Sequence, residues 1–358
     1  MASTRPNPAS RSDEDPGIPL GVRVQRQGAT GPAGQPGTIR VVALEGDTTR
    51  ESEGAAALAA LHELLKLPDA AIWVDLVAPT PKQAQQVGEA LGLHPLIIED
   101  VLEGNQRAKI ETTDGAVHLV LFHLSYGDVV VASELDVVLG LGYLLTVHNV
   151  DWDPRAGHHL AGGLAPILKH GPDHLLWAIA DDLIDGYFPF ADRIGDAIDD
   201  VQDQVIRKAS PDTIEQLFKL KRELIQVRRA ISPVREVFNQ LTNRDEKLID
   251  PDEIIYFRDI YDHVIRLTDE FDNYRELASA TLDIYLTQVN NNLSVIVKRL
   301  TGVTVILAGI GAVAGIFGMS EATNVVGGGQ AIGFWAIAGL IIAAAGAAAV
   351  VLRRIDWI

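Results

Sequence analysis

The chain has 358 residues, a net charge of −18, 47% hydrophobic and 22% charged residues and no cysteine. The apolar fraction excludes a wholly disordered chain. The lack of cysteine excludes a disulfide scaffold, a thiolate zinc site and a cysteine nucleophile, and the acidic balance argues against a basic nucleic-acid binder, so no nucleic-acid partner is expected.

Residues 1–38 are rich in Pro, Gly, Ser and Arg and have no apolar period, which predicts a disordered tail. No apolar stretch follows Met1, so no secretory signal is expected. From 39 to 170 short β-rich runs alternate with helical ones, which predicts a cytoplasmic α/β domain. Within it, 39–44, 71–76, 117–126, 128–132 and 135–147 read as strands, with Gly127 and Asp128 at a turn. Residues 55–66 and 81–91 read as helices, the second capped by Thr80.

Residues 171–250 read as a helical hairpin. A helical stretch over 172–208 carries Asp181, Asp185, Asp192, Asp196, Asp199, Asp200 and Asp203. Three- and four-residue steps put many of these on one side, which reads first as a solvated acidic face. A second helix over 213–241 contains Pro233, expected to kink or break it. A stalk helix over 251–299 follows. No proline occurs from Asp252 onward, so this helix can continue into the apolar tail.

From Leu300 to Leu352 the sole charge is Glu321. Residues 300–317 and 331–352 are each long enough to cross a hydrocarbon core of about 30 Å, and 318–330 would be the loop joining them. Two spans with a short loop predict a transmembrane helical hairpin in contact with lipid. Lys298 and Arg299 precede the first span and Arg353 and Arg354 follow the second, while the loop has no base. The positive-inside rule then places both termini in the cytoplasm, with 353–358 a cytoplasmic tail and Glu321 in an external loop. The expected location is the cell (inner) membrane, as a multi-pass protein.

A step of 3.5 residues from Asp283 selects Asp283, Thr287, Asn290, Ser294, Val297, Thr301, Thr304, Ala308, Gly311 and Gly315. This seam carries oxygen below the first span and small residues within it. Ile284, Leu286, Val289, Leu293, Ile296 and Leu300 lie between. Such a period predicts a left-handed supercoil. Polar seam positions are costly in a dry core but suit several copies surrounding water, where rings of oxygen ligands meet hard cations.

Five stretches together resemble the CorA family of divalent-cation channels, the 2-TM-GxN family. They are His94-Pro95-Leu96-Ile97-Ile98-Glu99-Asp100 with Gln106-Arg107 and Lys109; Tyr256-Phe257-Arg258-Asp259-Ile260-Tyr261-Asp262-His263; Leu282-Asp283-Ile284-Tyr285-Leu286; Lys298-Arg299-Leu300-Thr301; and Gly315-Ile316-Phe317-Gly318-Met319-Ser320. The resemblance covers the chain from about Leu91 onward. It implies a funnel-shaped homopentamer with one pore along its axis, and a transported divalent cation as ligand: Mg2+, or Zn2+, Co2+ or Ni2+.

It also implies that Asp283, Asn290, Ser294, Leu300 and the Gly318-Met319-Ser320 turn face the pore. Leu300 would form part of a hydrophobic constriction. Asp100 and Asp259 resemble the family's regulatory acidic pair between subunits, which closes the pore when internal cation is high. The family signature is Gly-Met-Asn; this chain has Ser320 in the third place, and Ser294 stands where Asn is typical. Two rings thereby exchange an amide for a shorter hydroxyl, which leaves zinc, cobalt or nickel transport within the same family as an alternative. A non-conducting cation sensor or scaffold is the alternative of another class. No phosphate loop, His-Glu-x-x-His or Gly-x-Ser-x-Gly motif is present, so an enzyme is not expected.

Overall fold

The computed structural model describes residues 23–25, 37–67, 70–104, 107–113, 115–126, 130–243, 247–318, 330–354 and 357. It separates into two compact units, one of Met1–Val201 with Glu215–Ser279 and one of Gln202–Ile214 with Ala280–Ile358.

The first unit is built on one mixed sheet. Its strands are β1 (Arg23–Gln25), β2 (Thr38–Glu45), β3 (Thr48–Glu53), β4 (Ile72–Val77), β5 (Lys109–Thr113), β6 (Ala116–Tyr126), β7 (Val130–Gly140) and β8 (Tyr143–His148). The order across the sheet is β3-β2-β4-β8-β7-β6-β5. The pair β4–β8 is parallel, and the other pairs along this path are antiparallel. Helices α1 (Ala55–Leu64), α2 (Pro81–Ala90) and α3 (Pro95–Glu103) supply Leu61, Val87, Ile97 and Val101 to a core shared with Val41, Val74 and Leu145. Alternation along the strands turns Trp73, Asp75, Thr146 and His148 to the other face. Helix α5 (Pro172–Asp185), preceded by the short α4 (Leu164–Leu168), also contacts β7 and β8.

The turned-away face holds a closed polar network. Asp75 Oδ1 accepts from Thr146 Oγ1 at 2.7 Å and from His148 Nε2 at 3.1 Å, and Trp73 Nε1 donates to Thr146 Oγ1 at 2.9 Å. Arg40 lies 3.5 Å from the second carboxylate oxygen. A buried carboxylate is tolerable because its lone pairs are occupied in this way.

The remaining helices are α6 (Tyr187–Arg207), α7 (Pro211–Asn243), α8 (Ile254–Gly318) and α9 (Gln330–Arg354). Several sequence expectations need correction. Arg23–Gln25, inside the segment read as a disordered tail, forms β1 and pairs in parallel with Val131–Ser133 of β7. It takes the part of that strand edge that β8, paired with 135–140, leaves open. Most of the tail expectation lies outside the described residues, as do Gly127 and Asp128. The strand break expected near Ser133 and Glu134 falls instead at Leu141 and Gly142. Ser133 and Glu134 are buried within β7, whereas Gly142 has φ 79°, which suits a tight turn. The stretch 172–208 is two helices parted at Gly186, and α7 runs through Pro233 without interruption.

Candidate cation pathway and cation-binding clusters

Helix α8 has 65 residues, roughly 100 Å at 1.5 Å per residue. In the second unit all ten seam positions from Asp283 to Gly315 are exposed on the isolated chain. Thr287 Oγ1 donates to the Asp283 carbonyl at 2.8 Å, and Thr304 Oγ1 donates to the Leu300 carbonyl at 2.7 Å. These bonds use the hydroxyl protons within the helix and leave oxygen lone pairs turned outward, the acceptor side that a cation or its water shell requires.

The neighbouring apolar stripe is equally bare. Leu286, Val289, Leu293, Ile296 and Leu300 recur at three- and four-residue steps and are 40–66% exposed. An 18-residue window of α8 has a mean hydropathy of 1.8, apolar and long enough to cross a membrane. Helix α9 is Ala- and Ile-rich, and its only charges are Arg353 and Arg354 at the C-terminal end. Val305, Gly309 and Val313 of α8 and Ile341, Ala345 and Ala348 of α9 line one apolar groove of about 430 Å³. Gly318 is the last residue of α8; Met319, Ser320 and Glu321 lie outside the described residues.

In the first unit the two expected regulatory acids sit in separate clusters. Asp100 on α3 faces β5 and β6. Lys109 Nζ is 2.6 Å from its carboxylate and 3.1 Å from that of Glu111. Burial disfavours the Lys109 charge, but hydrogen bonds to Asp100 and Glu111 prevail and raise its pKa. Asp100, Glu111 and His118 offer donor atoms within 4.8 Å of one another, so Lys109 already supplies a positive charge where a metal ion would compete. Behind them His118 Nε2 meets Asp136 Oδ1 at 2.9 Å in full burial, and that burial pushes the Asp136 carboxyl up despite the hydrogen bond.

Asp259 on α8 is mostly exposed and lies 3.8 Å from His263 Nε2, one turn along the helix. His263 Nδ1 is 3.3 Å from Asp185 Oδ1 on α5. Asp181, Asp185 and His263 bring donor atoms within 4.8 Å of one another. Burial raises the Asp181 pKa; the His159 hydrogen bond opposes this and the Asp185 charge adds to it. Crowded carboxylates of this kind gain from an arriving cation. Asp181 and Asp185 were legible only as members of an acidic face, and His263 only as part of a motif. Their convergence required the packing of α5 against α8.

A family model described as "CorA-like Mg2+ transporter protein" matches residues 68–354. The cobalt/magnesium transport protein CorA of Thermotoga maritima is 32% identical over 241 residues, covering 66% of this chain and 69% of that protein. The cobalt/magnesium transport protein CorA of Methanocaldococcus jannaschii is 22% identical over 292 residues, covering 80% of this chain and 91% of that protein. The complete structure of the CorA magnesium transporter from that organism superposes with a TM-score of 0.73 at 19% identity, covering 89% of this chain and 98% of that one. At that identity the superposition speaks for the fold.

Proposed function

The chain belongs to the CorA-like Mg2+ transporter family, and from that premise we propose that it conducts divalent cations through a pore lined by α8 in a homopentamer. Family membership makes it a membrane transporter and not an enzyme. The observation that carries the reading is the bare seam from Asp283 to Thr304, polar on one face and apolar beside it, on a helix that continues into an apolar span. One chain cannot close that seam; a cyclic assembly of identical chains can. Asp283, Thr287, Asn290, Ser294, Thr301 and Thr304 would then form oxygen rings. Leu300 forms the constriction, and the Gly318-Met319-Ser320 turn with Glu321 forms the outer mouth. Helices α8 and α9 form the transmembrane hairpin, with both termini cytoplasmic.

Gating in this reading comes from intracellular divalent cation at Asp100 and Asp259, supplied by neighbouring copies. Carboxylates brought face to face repel, and a bound cation converts the repulsion into a bridge. A divalent ion gains about 4.6 kcal/mol per 100 mV on crossing fully, twice the single-charge value, so an inside-negative potential drives uptake without a coupled ion.

Flux into liposomes holding purified protein, compared for magnesium, cobalt, nickel and zinc, tests the proposal. Divalent flux is expected, and its absence for every ion favours the sensor reading. Ser294 and Ser320 favour weaker discrimination for fully hydrated magnesium, because a hydroxyl reaches less far than an amide. Ser320→Asn should therefore raise magnesium flux relative to zinc and nickel; an unchanged ratio moves the selecting ring elsewhere.

A further inference from the structure

A third cluster in the first unit belongs neither to the seam nor to the two acids proposed for gating. It joins the loop after β8 to α5. A short 3-10 turn, Pro154–Ala156, is followed by Gly157, His158 and His159. Asp182 on α5 is the residue around which this loop folds. Its carboxylate accepts the backbone N–H of His158 at 3.1 Å and of His159 at 3.3 Å, and contacts His158 Nδ1. Gly157 is required here, because a Cβ at that position would lie 2.0 Å from an Asp182 carboxylate oxygen. The two imidazole rings lie 3.9 Å apart. His159 Nε2 meets Asp181 Oδ2 at 2.8 Å, and Trp177 stands 4.5 Å from the His159 ring.

We propose that His158, His159 and Asp182 form a binding site for a divalent transition-metal cation of the zinc, cobalt or nickel type, distinct from the acidic clusters at Asp100 and Asp259. Their donor atoms lie within 4.8 Å of one another. Two donors on one tetrahedral zinc are about 3.3 Å apart, so closure needs a shift of about 1.5 Å or less. His158 can supply it by side-chain rotation, since its side chain is 63% exposed, while Asp182 at 6% is held in place by the loop amides. His159 would ligate through Nδ1, with its Nε2–H donated to Asp181. A carboxylate on the far nitrogen is the usual device that fixes the ring and strengthens it as a ligand.

The donor set decides the metal class. Two imidazoles and one carboxylate suit zinc, cobalt and nickel, whereas magnesium prefers oxygen ligands and keeps its waters. Three protein ligands leave a coordination position to water, as suits a site that fills and empties with concentration instead of holding a structural ion. The Asp181 contact ties the site to the Asp181, Asp185 and His263 cluster beside Asp259. Transition metal bound here thus bears on the same helix pair as the proposed magnesium gate.

The test is isothermal titration of the full-length protein in detergent with zinc, nickel and magnesium, for the wild type, His158→Gln and Asp182→Asn. His158→Gln is the decisive variant because the exposed side chain can change without disturbing the fold, checked by an unchanged metal-free melting temperature. The wild type should bind zinc and nickel with one component of the isotherm whose affinity falls at least about 10-fold in His158→Gln, whatever other sites contribute. Magnesium binding should be unaltered in that variant. Equal zinc affinity in wild type and His158→Gln overturns the proposal, as does a wild type with no zinc or nickel binding. A parallel loss of magnesium binding in His158→Gln overturns the claim that the site is distinct. Because the readout is binding, failure of conduction and failure of this site are separately visible.

Discussion

Strand β8 in the first unit and the stretch of α8 in the second unit from 289 to 301 are both rich in apolar residues, yet all six residues of β8 are buried and every residue of that helical stretch is exposed. The sheet unit buries its apolar residues within its own chain and pairs the buried Asp75 carboxylate there as well. The helical unit leaves Leu293, Ile296 and Leu300 about 60% exposed and its Thr oxygens turned outward. The first closes its hydrophobic core within one chain. The second is one wall of something that lipid and further copies must finish, in the reading proposed above.

The largest expected effect lies in the sheet unit. Asp75→Ala leaves His148 and Arg40 without their buried partner and should destabilise that unit by about 3–5 kcal/mol, read from denaturant unfolding of the full-length protein in detergent. A result near zero would mean that the network is not part of what holds the sheet.

The same truncation placed in both regions sharpens the contrast. Leu144→Ala, in a fully buried position of β8, should cost about 2–5 kcal/mol. Leu293→Ala should alter the chain's own unfolding by about 0.5 kcal/mol or less. It should instead shift the assembly toward smaller species in light scattering. If Leu293→Ala destabilised the chain as much as Leu144→Ala, the comparison would fail.

Cation protection is expected from the first unit. Magnesium at 100 times its Kd should stabilise the protein by about 2.7 kcal/mol if it binds only the folded assembly. Asp259→Ala and Asp100→Ala should each remove most of that rise in melting temperature. Unchanged protection in both variants would take these acids out of the gate.

The smallest effect is a pH dependence. Burial disfavours charge on His148, but the hydrogen bond and charge of Asp75 prevail and raise its pKa above the ordinary value of 6.5. A raised folded-state value means that the protonated form stabilises the fold below about pH 6.5, and that this contribution is lost as pH rises through the folded pKa. The melting-temperature gap between wild type and His148→Gln should therefore narrow from pH 6 to pH 9. A gap that widened would reverse the assigned direction.

The elements proposed to handle ions were legible in sequence to different degrees. The seam from Asp283 to Gly315 could be read because a helix repeats and no proline interrupts it. Asp100 and Asp259 could be read only through motif resemblance, since nothing in the periodicity of α3 or α8 distinguishes them from surface acids. The Lys109 bridge to Asp100 needed the pairing of β5 with β6 beside α3. The tight group of His158, His159 and Asp182 had no sequence signature, because its halves are more than twenty positions apart and meet only where Gly157 lets a loop close over α5.

Composition and period alone determined the segregation of charge from apolar residues, the long helix, its polar seam and the bases that flank its apolar stretch. These are local properties, set by which side chains recur along one helix. The tertiary structure decided where strands break, that part of the tail joins the sheet at β7, and which acids and histidines come within reach of one another. Those outcomes depend on burial and on contacts between distant residues. Ser133 and Glu134 look like a gap between two strands until the sheet buries them, and Asp181 looks like one more solvated acid until α5 packs it beside His159.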